Sequence, residues 1–325
     1  MSGILAYVLH YEGAFNKNSL GAVSEAAKRA KDIGAEAHAV VVGEDVPDDL
    51  AKSLGKYGAT KVWRAKGPEG LAQPVVDVMS KLIADNDYDY AVFGGGLLGF
   101  EIGAGVAARL GGGVTMEVTE VKAQDGKLVA VRPILQDSQI VDVGYKGKPG
   151  IIIGRLNAFE VAEDGAGDAE VADVDVELSP WSTKAKMRTR GEQRGGDVNI
   201  EDADLLVGGG RGLGKADGFQ ELAEPLADAL GGAVAATRAV VDAGWYPYAA
   251  QIGQTGKTVA PKLYLALGIS GAIQHKVGMQ SSENILAINK DQNAPIFEFA
   301  DLGVVGDLHK IVPKLTEAIK AKKGG

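Results

Sequence analysis

Short apolar runs alternate with amphipathic segments along the first 150 residues. The run "ILAYVLH" (4–10) predicts a strand, and the segment 19–34 predicts a helix that Gly34 ends. The apolar residues of that segment share one helical face: Leu20, Val23, Ala27, Ala30 and Ile33. Further strands are predicted at 35–43, 61–65 and 90–96, and further helices at 48–55 and 70–85. This alternation predicts βαβ units around a parallel sheet.

The alternation of predicted strands and helices ends at residue 114. Two β-like runs in 114–133 are joined by Asp125-Gly126, a hairpin signal, and 150–161 adds another strand. Residues 162–200 are charged, with an acidic half followed by a basic half, and they lack a helical period. They predict an extended connector in which "VADVDVEL" (171–178) pairs at a sheet edge.

A second α/β region begins at residue 201. Its predicted strands are the run that leads into the glycine loop 208–214, and 232–237, 262–268, 284–290 and 295–300. Pro225 should kink or delay a helix at 218–231, and Pro313 should divide a last helix at 307–322. The fold class is therefore two tandem α/β domains, 1–200 (with the connector 162–200) and 201–325. We expect a doubly wound parallel sheet in the second and an added β-hairpin in the first.

The charge and composition of the chain argue against several classes of function. The chain has 34 Lys and Arg against 43 Asp and Glu, a net charge of −9, which argues against nucleic acid as a partner. It has no cysteine, so disulfides, thiol nucleophiles and cysteine-ligated iron–sulfur clusters are excluded. The four histidines lack the spacing of a zinc hydrolase, so no metal site is predicted. No long apolar stretch predicts membrane insertion, and the N-terminus, without signal-peptide features, favours a cytoplasmic protein.

Two glycine loops follow predicted strands. "GGGLLG" (94–99) matches the dinucleotide pattern G-x-G-x-x-G between a strand and a helix, although it follows the fourth strand and a plain turn explains it as well. "GGGRGLG" (208–214) fails that pattern but carries Arg211, and a guanidinium beside backbone N–H groups suits a phosphate. From the residues alone, either a phosphate contact or a turn explains this loop.

The segment "LALGISGAIQHKVGM" (265–279) ends a buried-type strand at Gly268 and opens a helix near Ser270-Gly271. Gln274 and His275 then fall in the first helical turn, where they can face a ligand. The alternative is that His275 is a hydrogen-bonded core histidine. Four loops, 208–214, 236–238, 252–256 and 268–275, are expected at the carboxyl ends of one sheet, the edge where open α/β sheets bind ligands.

Four blocks in this order resemble the α subunit of electron-transfer flavoproteins: "GGRGLG" (209–214), "RAVVDAGW" (238–245), "QIGQTGKTVAPKLYLALGISGAIQH" (251–275) and "INKDQNAPIFEFADLGVVGDLHKIVPKLTEAI" (288–319). The resemblance implies FAD in the C-terminal domain and a heterodimer with a β subunit that holds AMP. It implies an electron carrier that receives electrons from flavin dehydrogenases of the acyl-CoA type and passes them to a membrane quinone oxidoreductase.

The resemblance also implies residue roles. Arg211 and Thr237 would lie near the FAD phosphates, and Arg238 over the isoalloxazine ring, where its charge favours anionic reduced flavin. Gln254 and Thr255 would reach the flavin, and His275 would donate to its O2 carbonyl. The complete set implied to bind FAD is Arg211, Thr237, Arg238, Ile252, Gly253, Gln254, Thr255, Ser270, Gly271, Ala272, Ile273, Gln274, His275, Asn289, Asp307 and Leu308.

The residues leave alternative functions open. An electron-bifurcating or nitrogen-fixation type subunit that uses NADH would share Arg238. An NAD-binding or thiamine-type enzyme would share the doubly wound layout, but the imperfect 208–214 loop and the lack of a paired acid and base count against it. A flavin-free nucleotide sensor would use Gly94–Gly99.

Overall fold

The structure is a computed structural model that describes residues 3–11, 13–135, 138–188 and 200–323. The chain divides into two compact units, 1–190 and 191–325. The part 189–199 of the predicted connector lies outside the described residues. Within the described ranges, no helix combines the length and the apolar character needed to cross a membrane.

The first unit has twelve strands among its described residues: β1 Gly3–Val8, β2 His10–Tyr11, β3 Ala14–Phe15, β4 Glu36–Val42, β5 Lys61–Ala65, β6 Tyr90–Phe93, β7 Gly113–Val118, β8 Glu120–Gln124, β9 Lys127–Ile134, β10 Gln139–Val143, β11 Gly150–Gly154 and β12 Glu170–Val174. Its helices are α1 Lys17–Ile33, α2 Asp48–Lys52, α3 Ala72–Asn86 and α4 Leu97–Leu110, and a 3₁₀ turn, Ser53–Tyr57, follows α2.

Seven of these strands form one parallel sheet in the order β12-β5-β4-β1-β6-β11-β7. Alternate residues of β1 enter different cores, Ile4 on one face and Leu5 on the other, so both faces of the sheet are covered. The predicted helix 19–34 is confirmed as α1. The Asn16 side chain accepts from the Ser19 N–H at its start, and Gly34 ends it with φ +66°.

The predicted hairpin is confirmed at β8 and β9, where Asp125 (φ +51°) and Gly126 (φ +73°) form the turn. The first predicted run is divided at Thr119, because β7 pairs with β11 in the parallel sheet while β8 pairs with β9. A third strand, β10, which the sequence did not predict, completes a separate antiparallel sheet in the order β10-β9-β8.

The acidic part of the connector lies on the first unit. Strand β12 pairs with β5 at the edge of the seven-stranded sheet, which confirms the expected edge pairing. Further along, the buried carboxylate of Asp77 on α3 accepts from the Ser179 N–H at 2.7 Å and the Ser179 hydroxyl at 2.9 Å, and it pairs with Arg109 of α4. These bonds hold the pKa of Asp77 below its usual range, although burial alone would raise it.

The second unit contains, among its described residues, the strands β13 Leu205–Gly209, β14 Ala233–Thr237, β15 Gln251–Ile252, β16 Leu263–Leu267, β17 Ile285–Asn289 and β18 Leu302–Val305. Its α-helices are α5 Glu224–Leu230, α6 Arg238–Val241, α7 Ile273–Met279 and α8 Leu308–Lys323. Shorter turns are the π-helical turn Phe219–Ala223 and the 3₁₀ turns Arg211–Leu213, Tyr248–Ala250 and Pro295–Glu298.

These six strands are parallel in the order β15-β14-β13-β16-β17-β18. In chain order this is 3-2-1-4-5-6, the doubly wound arrangement, so the strand order reverses between β13 and β16. One face packs under α5 and α8, and the other face under α7 and the 3₁₀ turn at 295–298. The two tandem α/β domains predicted from the sequence are therefore present.

Three sequence predictions in this unit have different outcomes. The strand predicted at 295–300 is wrong: Pro295 opens a 3₁₀ turn, Ile296 is buried with its N–H bonded to the Ser270 carbonyl, and the strand lies at 302–305. The division at Pro313 is also wrong, because α8 is continuous and buries Val312 and Thr316 on either side of the proline. The irregularity expected at Pro225 takes the form of a π-helical turn: the helical backbone runs from residue 217 through Phe219–Ala223 into α5, and the proline lies in the first turn of α5.

Candidate functional site

The candidate site is the carboxyl edge of the second unit's sheet. The predicted residues stand where strands end: Thr237 closes β14, Ile252 closes β15, and Asn289 closes β17. Arg211 follows β13, and Asp307 precedes α8 just after β18. Because all six strands are parallel, the structure brings every predicted site residue to one edge. The reversal of strand order places the loops after β13 and β16 side by side.

The segment 268–275 connects the loops of this edge through backbone hydrogen bonds. Its Gly268 carbonyl accepts from the Gly212 N–H at 3.0 Å, and its Gln274 carbonyl accepts from the Gln254 N–H at 2.8 Å. On the other side, the Ser270 carbonyl accepts from the Ile296 N–H at 2.9 Å. The loops after four strands are thereby held in fixed positions, as a preformed ligand site requires.

Glycine is required where the first loop meets this segment. A Cβ at Gly212 would collide with the Cα of Gly268, and Gly268 itself has φ +61°, which disfavours a side chain. The loop therefore serves close backbone packing. It also leaves Arg211 exposed, and this guanidinium has no hydrogen-bond or ion-pair partner within the described part of the chain. Both readings of this loop, a turn and an anion contact, are compatible with the structure.

Thr237 and Arg238 mark the start of the short helix α6. Thr237 is half-buried, and Arg238 points to solvent with its Nε 3.2 Å from a carboxylate oxygen of Asp242. The two side chains of this pair are 65% and 63% exposed, so the pair is weak and leaves the guanidinium free to turn to a ligand.

The turn 253–256 is supported by a residue that sequence reasoning missed. Gln251 is buried, and its Nε2 donates to the Thr255 carbonyl at 3.1 Å and to the Thr255 hydroxyl oxygen at 3.2 Å. Because Thr255 Oγ1 accepts here, its own hydrogen remains available to a ligand. Gln254 and Thr255 are exposed, whereas Ile252 and Gly253 are buried. The signal for Gln251 was a lone amide in an otherwise apolar stretch.

His275 occupies the third position of α7 and is only 7% exposed. Its Nε2 lies 2.9 Å from the hydroxyl oxygen of Tyr264, which is fully buried on β16. Burial lowers the pKa of His275 to about 4, and the backbone carbonyl of Ile252 offsets only part of this effect. Its Nδ1 is buried and makes no well-formed hydrogen bond with the described residues. The imidazole is thus a neutral interior group with one unsatisfied nitrogen.

Several residues of α7 and of the segment that leads into it face outward. Ser270, Ala272 and Gln274 are exposed, and Ile273 is 65% exposed, an apolar side chain open to a ligand at this edge. Gly271 is buried with φ +84° and packs against the backbone of Ile296. The segment therefore offers both apolar and polar groups.

Asn289 and Asp307 make local hydrogen bonds at the end of the edge formed by β17 and β18. The Asn289 side chain donates to the Ile269 carbonyl at 2.9 Å and accepts from the Asp291 N–H at 3.0 Å. The Asp307 carboxylate accepts from the His309 N–H at 3.0 Å and caps α8. Leu308, the first residue of α8, is buried, so its side chain belongs to the core.

The other glycine loop, 94–99 in the first unit, is explained by packing. A Cβ at Gly94 would collide with the Asn18 carbonyl, and one at Gly95 with the backbone N–H of Leu156. Gly96 caps α4 with φ +124°. Each glycine meets a backbone requirement of the first unit, which favours the turn over a nucleotide contact.

FAD demands an apolar surface for its ring, donors for the ring heteroatoms and cations for its phosphates. The edge supplies exposed Ile273, the Thr255 hydroxyl hydrogen and the exposed guanidinium of Arg211. The Nδ1 atom of His275, which has no hydrogen bond among the described residues, adds a buried polar atom. These residues fit a dinucleotide with a conjugated ring. The fold and the edge together define a cofactor-binding protein of the doubly wound α/β class.

Comparisons with known proteins agree with that class. Residues 4–179 match the electron transfer flavoprotein domain, and residues 199–280 match the electron transfer flavoprotein FAD-binding domain. The electron transfer flavoprotein subunit alpha of Mycobacterium leprae is 42% identical over 331 residues, covering 100% of both chains. Protein FixB of Clostridium saccharobutylicum is 36% identical, covering 98% of this chain and 96% of its own.

A third relative is the acryloyl-CoA reductase electron transfer subunit beta of Anaerotignum propionicum, which is 36% identical, with 96% of this chain and 94% of its own covered. The chain belongs to the electron transfer flavoprotein alpha-subunit family. Residues 199–280 carry the family's FAD-binding domain, which includes the loops after β13, β14, β15 and β16.

Proposed function

We propose that this chain is the α subunit of a cytoplasmic heterodimeric electron carrier that binds FAD in residues 201–325. Its β subunit holds AMP. The carrier takes electrons from flavin dehydrogenases of the acyl-CoA type, in fatty acid β-oxidation, and delivers them to a membrane quinone oxidoreductase. FAD supplies the redox chemistry when bound, because it exchanges electrons in steps of one or two.

The observation that supports the proposal is the set of cationic and donor groups on the edge described above. Arg211 meets phosphate charge, and Arg238 places a fixed positive charge on the same edge, which favours a more negative, reduced ring. The Thr255 hydroxyl is held by Gln251 with its hydrogen free to donate. These groups bind and bias a cofactor, which is what a carrier requires.

The test is a visible spectrum of the chain co-expressed with its β subunit, recorded during stepwise dithionite reduction. We expect one FAD per heterodimer and reduction in two resolved one-electron steps. Arg238→Ala should retain FAD and lower its potential. The matched control is Lys320→Ala, an exposed cation in the last turn of α8, a helix that begins at the carboxyl edge and runs away from it. A colourless heterodimer, or an Arg238→Ala potential equal to wild type, would contradict the proposal.

A second candidate is a bifurcating or nitrogen-fixation type subunit that works with NADH. It is favoured by the relative named as an electron transfer subunit of acryloyl-CoA reductase. The two candidates differ in the electron donor. Reduction of the heterodimer by an acyl-CoA dehydrogenase with its substrate, and not by NADH, supports the first candidate, and rapid reduction by NADH alone supports the second.

A further inference from the structure

Tyr264 is the hydrogen-bond partner of the His275 ring. It lies on β16, is fully buried, and places its hydroxyl oxygen 2.9 Å from Nε2 of His275, with ring centroids 6.0 Å apart. Gly208 on the neighbouring strand β13 makes room for this hydroxyl, because a Cβ there would collide with it. The first glycine of the 208–214 loop therefore serves the contact between Tyr264 and His275.

The count of buried donors and acceptors decides the direction of this hydrogen bond. If Tyr264 donates to Nε2, the proton of His275 is on Nδ1 and only that one group lacks a well-formed bond. If Nε2 instead donates to Tyr264, the phenol hydrogen and the Nδ1 lone pair are both left unsatisfied among the described residues. Since each unsatisfied buried group costs about 1–3 kcal/mol, the first arrangement is favoured.

His275 lies beside the turn that follows β15. Burial lowers the pKa of His275, and the backbone carbonyl of Ile252 raises it in part, as an acceptor near a ring N–H does. Ile252 ends β15 and precedes the turn 253–256, and this turn packs on α7, where the Gln254 N–H donates to the Gln274 carbonyl at 2.8 Å. A Cβ on Gly253 would lie 3.5 Å from the Cα of His275, so this histidine lies next to the turn that carries Gln254 and Thr255.

The geometry points to Tyr264 as a positioning residue of the FAD site: its hydroxyl donates to Nε2 of His275, holds the ring in the Nδ1–H tautomer, and so fixes one imidazole donor beside the turn 253–256. This inference rests on the proposed function for its consequence at FAD. Tyr264 itself is fully buried, so it acts through His275 and does not touch the ligand.

The experiment has two readouts. In the first, ¹⁵N-histidine NMR of the full chain at pH 7.5 reports the tautomer of each of its four histidines, and His275→Gln assigns the signal. We expect Nδ1 to be the protonated nitrogen of His275. Tyr264→Phe should lower the ratio of the Nδ1–H to the Nε2–H form about fivefold or more, the factor set by one hydrogen bond. In the second readout, the same variant in the heterodimer should keep FAD and lower its potential.

The matched control is Tyr246→Phe. Tyr246 is a half-buried tyrosine of the same unit that stacks on Phe219 with centroids 4.3 Å apart, so the substitution removes a phenol hydroxyl away from His275. We expect this control to leave the His275 tautomer and the FAD potential as in wild type.

Each failure has a separate meaning. A wild-type His275 protonated on Nε2, or a tautomer ratio unchanged by Tyr264→Phe, overturns the inference even if FAD binds normally. A shifted tautomer with an unchanged potential overturns the role of Tyr264 at FAD. A wild-type heterodimer that binds no FAD refutes the proposed function, while the NMR readout still tests the hydrogen bond between Tyr264 and His275.

Discussion

Lowering the pH from 7 to 4 is expected to destabilise the second unit through His275. The folded protein holds this imidazole neutral, with a pKa of about 4, whereas the unfolded chain protonates it near its ordinary value of about 6.5. Between these values the unfolded state binds more protons than the folded state, so stability falls as the pH falls. The difference of about 2.5 pKa units corresponds to about 3 kcal/mol of unfolding free energy, fully present above pH ~6.5.

The assay is chemical unfolding of the FAD-free chain at a series of pH values from 4 to 8. The chain has three tryptophans, and a background with Trp63→Phe and Trp181→Phe leaves Trp245 to report the second unit. The His275→Gln variant is compared with its parent at each pH. The carboxylates that titrate in the same range are common to both proteins, so their contributions cancel in the difference.

We expect the stability advantage of the parent over His275→Gln to shrink by about 3 kcal/mol between pH 7 and pH 4, with a slope of at most ~1.4 kcal/mol per pH unit. His309→Gln, which removes an exposed imidazole from α8, controls for the loss of a histidine in general. If the parent and His275→Gln profiles run parallel over this range, His275 is not a buried neutral base and the argument from its burial is wrong.

Two further predictions concern the first unit. Asp77→Ala should lower the unfolding free energy by about 3 kcal/mol, because Arg109 and the Ser179 groups lose their buried acceptor, and it should expose 179–188 to limited trypsin digestion. The control is Asp85→Ala, which removes an exposed ion pair on the same helix. It should lower the unfolding free energy by less than about 0.5 kcal/mol and leave the digestion unchanged. Gly126→Ala should lower the unfolding free energy measured by thermal unfolding by about 1 kcal/mol, because residue 126 has φ +73° in the hairpin turn. The control is Gly147→Ala, where a Cβ would enter open space, and it should leave the unfolding midpoint within about 1 °C of wild type.

Much of the fold could be predicted because buried parallel strands and amphipathic helices leave different periods in the sequence. The strand 61–65 was predicted with its observed ends, and α1 within two residues at its start. The error at 295–300 arose because a short apolar run has the same pattern in a strand and in a turn that buries Ile296. The continuous α8 depends on burial of Val312 and Thr316, which a proline rule does not include.

The position of the site followed from topology, since loops after parallel strands meet at one edge. The hydrogen bonds that support the site residues could not be predicted from topology. Tyr264 reads as an ordinary strand residue in "LYLAL", and its hydrogen bond to a residue on the next helix exists only after β16 and α7 have packed. Gln251 is similar, because its amide is explained only by the turn that it supports.

Strand β12 has a consequence for how the first unit is handled as a separate protein. It covers β5, and its outermost residues include the exposed carboxylates of Glu170 and Asp173. A fragment that stops near residue 162 would uncover the backbone donors and acceptors of β5, an open template for intermolecular pairing. A fragment that extends through 188 keeps the acidic margin, and acidic edges resist such pairing. The segment 162–188, which the sequence predicts as a connector, therefore protects β5 from intermolecular pairing, and a fragment that lacks it should precipitate where the longer fragment stays in solution.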